Sequence, residues 1–87
     1  MIANPQFTKW VPVTQSDADD FPVQGTADGL AAAIYVGGAG DVACVHQDGR
    51  VVTIPCIAGM YIWGKFKRIN DTGTTVTNAN LFALYDL

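Results

Sequence analysis

The chain has 87 residues, enough for one domain with a modest core but not for a deep cleft between lobes. Apolar residues make up 49% and charged residues 15%, which excludes a disordered chain; a net charge of −3 argues against sequence-independent binding of nucleic acid. No segment reaches membrane-spanning length, and Met1-Ile2-Ala3-Asn4-Pro5 lacks both the basic start and the apolar run of a secretion signal, so synthesis in a cytoplasm is expected.

In chain order, residues 1–33 hold all but one of the four prolines and several polar turns, and read as an N-terminal arm with one short strand around residues 7–13. The acidic stretch Gln15-Ser16-Asp17-Ala18-Asp19-Asp20-Phe21-Pro22 reads as an exposed turn, since it lacks the glycine and glutamate of a calcium-binding loop. Residues 34–87 read as the β domain. Strands are expected at 32–36, 42–47, 50–55, 61–69, and 74–78 running into 81–85, with turns at 37–40, 48–49, 58–59 and 71–73. Turns about ten residues apart mark a small β-sandwich or barrel, so the fold class is all-β with an extended N-terminal arm. Trp10, Tyr35, Trp63, Phe66, Phe82 and Tyr85 read as core or interface anchors.

The stretch Tyr35-Val36-Gly37-Gly38-Ala39-Gly40-Asp41-Val42 has the spacing of a phosphate-binding loop but not its context. A helix would have to begin there, and a hairpin follows instead. Asp48-Gly49 between two β-rich runs predicts a two-residue type I′ turn, which pairs Val45 with Val52 and Ala43 with Ile54 on a core face. That register puts Cys44 on the opposite face with His46 and points Cys56 away from it, so two free thiols are expected. Cys44 and His46 provide two potential metal ligands with no third in view, so no metal is assigned.

Catalysis has little to build on. The one histidine, the one serine (Ser16) and the absence of glutamate leave no evident catalytic set, and the reading is of a protein that is not an enzyme and carries no cofactor. The basic run Lys65-Phe66-Lys67-Arg68 resembles a single-strand binding surface, but on a strand Lys65 and Lys67 form a solvated row beside a core Phe. Neither nucleic acid nor membrane is an expected partner. Few charges on a small β domain leave apolar surface that another protein would cover.

The stretches "VTQSDADDFP", "AIYVGGAGDVACVHQDGRVVTI" and "IAGMYIWGKFKRINDTGTTVTNANLFALY", most specifically residues 35–42 and 72–77, carry a resemblance over residues 13–85. They resemble the small head-spike base and capsid-vertex proteins of tailed bacteriophages and gene transfer agents. It implies a virion structural protein on the capsid exterior, made in a bacterial host cytoplasm, which decorates the head or serves as the base of a spike. Its implied partners are the major capsid protein, further copies of itself in a closed ring (a pentamer or a trimer) and, where one is carried, a fibre protein. The chain departs from the family at Cys56-Ile57, Asn70-Asp71 and Trp63, where a proline is common.

Phe7, Trp10 and Phe21 on the arm, with Trp63, are the interaction residues expected from these readings. The arm cannot bury its own rings, so either the chain's own β domain or a neighbouring subunit covers them. The alternative is a small β-sandwich module binding carbohydrate or another ligand within a tail or surface assembly, with Trp10, Tyr61 and Trp63 stacking on sugars.

Overall fold

Six antiparallel strands form one sheet, and the computed structural model describes residues 9–22, 24–25 and 29–85. In chain order they are β1 (Lys9–Pro12), β2 (Ala31–Val36), β3 (Gly40–His46), β4 (Val51–Cys56), β5 (Met60–Ile69) and β6 (Leu81–Tyr85). Their spatial order is β1-β6-β2-β5-β3-β4. The chain is all-β, as its period-2 patterning and turn spacing predict.

β5 is shared by the two halves of the sheet. Its first half pairs with β2, which pairs on with β6; its second half pairs with β3. Both ladders change register between Trp63 and Arg68, so the strand bends there. Gly64 allows it: at φ +148°, a Cβ would sit 3.0 Å from the Phe66 ring. The bend curls the sheet around one core that draws on Ile34, Val42, Cys44, Phe66, Leu81 and Tyr85. Among the described residues β1 and β4 remain the two edges.

The described part of residues 1–33 lies on this sheet. β1 pairs with β6, and beyond it the Val13 N–H donates to the Leu81 carbonyl, that of Ser16 to Ile69 and that of Phe21 to Lys67. Val13 enters the core and Phe21 packs half-buried against it. The acidic turn acts as a strap. Ser16 Oγ accepts the N–H groups of Ala18 and Asp19, and Arg68 meets Asp20 at 2.9 Å. The Thr72 hydroxyl and N–H both donate to Asp17, which holds that carboxyl below its ordinary value.

The glycine stretch is explained by what lies against it. After β5 the chain keeps running along β3, with Thr hydroxyls taking the place of a strand's carbonyls. The Asn70 N–H donates to the Ala43 carbonyl and the Ala43 N–H to Thr74 Oγ1; the Thr75 N–H donates to the Asp41 carbonyl and the Asp41 N–H to Thr75 Oγ1. A Cβ on Gly40 would lie 2.7 Å from Thr75 Oγ1, and one on Gly38 would lie 2.6 Å from the Asn80 side chain. Residues 37–40 and 74–80 therefore require each other. This close approach also corrects the expected strand at 74–78: these residues meet β3 through backbone bonds to Asp41 mixed with threonine-hydroxyl bonds and form no strand ladder, and a 3-10 turn at Asn78–Asn80 leads into β6.

The hairpin register also differs from expectation. The strands pair as Val45 with Val51, Cys44 with Val52 and Val42 with Ile54, one residue away from the two-residue type I′ arrangement. Type I′ needs positive φ at both Asp48 and Gly49, and among the described residues only glycines have it. The Gly49 N–H instead donates to the His46 carbonyl and the His46 N–H to that of Arg50, which makes a three-residue loop with Gly49 left-handed at φ +92°. The Asp48 carboxylate accepts the Arg50 N–H and Nε, so its own hydrogen bonds favour the right-handed conformation.

The one-residue slip turns the other face of β3 to the core, while β4 keeps its expected face with Ile54 and Cys56 inward. Val42, Cys44 and Cys56 face the core, so the two cysteines share a side instead of opposing each other; both are free and buried. Burial pushes the Cys44 thiol up to about 12, with Cys56 adding to the shift, and burial raises Tyr85 as well.

Two outcomes follow for stability. Gly49→Val should lower it by ~1–3 kcal/mol in urea melts, through backbone strain alone, since nothing lies within 4 Å of a Cβ there. Above the ordinary thiol value of 9.0 the unfolded chain releases the Cys44 proton while the folded chain keeps it until about 12. Stability should therefore fall as pH rises from 9 towards 12, by up to ~1.4 kcal/mol per pH unit from this group, and Cys44→Ala should flatten that part of the urea-midpoint profile.

Candidate functional site: an exposed aromatic face

The pairing register stacks two rows of residues on the side of the sheet away from the core. One row runs Trp10, Leu84, Ala33, Trp63 and the next Pro12, Phe82, Tyr35, Tyr61. Neither row contains a charge. Alternation alone places them together, because every second residue of β1, β6, β2 and the first half of β5 points the same way.

Five aromatic rings meet there. Trp10 lies 5.5 Å from Tyr35, 6.2 Å from Phe82 and 6.4 Å from Tyr61, so its indole reaches across β6 to β2 and β5. Tyr35 and Tyr61 meet edge-on at 5.1 Å, and Tyr61 and Trp63 stack at 5.7 Å with 16° between their planes. Beneath them Ala33 and Leu84 have no exposed surface. The outer rings remain wet: Trp10 is 47% exposed, Tyr61 38% and Trp63 57%. Edge-to-face and offset contacts of this kind fix ring orientations, so the face is preorganised.

Of the residues singled out from sequence, Trp10 and Trp63 stand at the two ends of one row. Phe21 lies elsewhere, against the core, and Phe7 falls outside the described residues. Tyr35, Tyr61 and Phe82 complete the face. Their alternation was visible in the sequence, but which strands stand side by side was not.

Groups that could do chemistry are dispersed. Ser16 lines a groove of about 220 Å³ with Val11, Asp19, Asp20, Phe21 and Tyr85, while its hydroxyl accepts bonds from its own turn. His46 lies against Phe66 at 5.3 Å beside the hairpin loop, in a different depression. Among the described residues no three His, Cys, Asp or Glu side chains converge.

No family model and no curated protein matches the sequence. Among solved structures, a chain of "Capsid of native GTA particle computed with C5 symmetry" shares the fold, with a TM-score of 0.75 and 22% identity over 91% of this chain and 83% of that one.

The outer rings should contribute to stability in proportion to what they bury. At ~200 Å² per ring and ~25 cal/mol per Å², Trp10→Ala should cost ~2.5 kcal/mol and Trp63→Ala ~2 kcal/mol in urea melts. An equal or reversed order would show that Trp10 does not roof the sheet as described.

Proposed function

We propose that this chain is a virion structural protein, not an enzyme, which assembles as a homo-oligomer on the exterior of a phage-type capsid and decorates the head or forms the base of a head spike. The observation that carries the reading is an uncharged, preorganised aromatic face on a fold shared with a chain of a gene transfer agent capsid particle. Such a face covers itself by contact with protein. The major capsid protein, other copies of this chain and a spike fibre are the partners of this reading. Phe7, Trp10 and Phe21 on the N-terminal arm, with Trp63, are its contact residues.

The exposure of Trp10, Tyr61 and Trp63 together also suits the second reading, a module on which sugars stack. One experiment separates the two. Purified protein is mixed with empty heads built from the cognate major capsid protein, and binding is read by co-sedimentation and a particle map. The virion reading expects saturable loading at one class of symmetry axis. A protein that stays in the supernatant as a monomer, and whose tryptophan emission is quenched by glycans, would replace it with the module.

A further inference from the structure

We propose that the aromatic face is one half of a contact between two copies of this chain, and that its counterpart on the next copy is the uncharged strip along the free edge of β4. This rests on the homo-oligomer reading above and names the surfaces that form it.

The aromatic face has the size of a contact surface. With Trp10 47%, Tyr61 38% and Trp63 57% exposed, ~200 Å² per ring leaves on the order of 300 Å² of aromatic surface, the range at which a patch on a small protein is functional. A standard interface covers ~800 Å² on each partner with an apolar centre and a polar rim, so this face supplies the centre.

The chain carries a second apolar surface in another place. Among the described residues β4 is the last strand in the order, and residues 51–57, Val-Val-Thr-Ile-Pro-Cys-Ile, contain no charge. Val51 is 50% exposed, Val52 41% and Ile57 72%. The His46 N–H donates to the Arg50 carbonyl, and β4 pairs onward through Val52 and Ile54. Alternation then turns the backbone of residues 51, 53 and 55 outward, and Pro55 has no N–H to leave unpaired there. The edge offers aliphatic side chains more than a long ladder of free donors.

The two surfaces match in extent. Six residue steps at ~3.3 Å make the strip ~20 Å long, and the aromatic face crosses three strand spacings, ~14 Å, before the overhang of its indoles. Branched aliphatic side chains fill the gaps between tilted rings.

Their separation sets the kind of contact. A two-fold contact that mated the aromatic face with itself would leave the β4 strip wet on every copy. A head-to-tail contact covers both surfaces with one kind of partner, and repeats until the rotation closes.

Complementation between variants tests this, on purified protein without capsid. Both tryptophans of the chain lie in the aromatic face, so intrinsic emission reports on it directly. Wild-type protein should be an oligomer by light scattering, with its emission shielded from acrylamide. Trp63→Asp and Ile57→Asp should each be folded by circular dichroism and weaken self-association by more than about tenfold. Mixed in equal amounts, they should form a heterodimer, because one keeps the β4 strip and the other the aromatic face. Val51→Asp serves as a second strip variant. A wild-type monomer at the highest attainable concentration, strip variants that oligomerise like wild type, or a mixture without heterodimer would each overturn the contact. Loading onto heads is measured separately, so this contact can fail while the virion reading stands, and the reverse.

Discussion

The fold depends on one strand serving two sheets' worth of partners. β5 gives its first half to β2 and its second half to β3, and it can do so only by bending where Gly64 passes beneath the Phe66 ring. Without the bend, β3 and β4 would extend the sheet flat, and Val42, Cys44 and Cys56 could not reach the core that Leu81 and Tyr85 line from the other end. Curling a six-stranded sheet around its own side chains is how an 87-residue chain buries a core with no helix layer among its described residues.

A second constraint follows from the first. Where β5 ends, β3 still has backbone groups to satisfy, and an unpaired buried N–H costs as much as a lost hydrogen bond. Thr74 and Thr75 meet that need with hydroxyls, but a side-chain partner must come closer than a ladder strand would, and Gly40 provides the room. The stretch that suggested a phosphate loop and the threonine-rich stretch near the C-terminus are two sides of one contact. Gly38 and Gly40 answer to packing.

The same alternation that builds the core also builds the aromatic face. On β1, β6, β2 and the first half of β5, alternate residues turn away from the core, and where a β domain would usually carry polar groups this one carries Trp, Tyr and Phe. Leaving rings partly in water forgoes stabilisation that a polar row would not have offered. About half of the surface of Trp10 and Trp63 stays in water and adds nothing to folding. The fold alone does not specify a function; the face supplies the chemistry from which one is argued.

What the sequence determined by itself was local. The strands other than the one expected at 74–78, and the turn positions at 48–49, 58–59 and 71–73, follow from residue type and period-2 spacing, which act over a few neighbours. Even there the hairpin loop was misread by one residue, because Asp48 is compatible with two turn types and its bonds to Arg50 decide between them. That slip puts the two cysteines on one face instead of two. Tertiary structure decided the rest: that β1 pairs with β6, that β6 lies between β1 and β2, and that Trp10 and Trp63, 53 positions apart, end one row. Strand order depends on long-range pairing through the bend in β5, and no local pattern encodes which strands stand side by side.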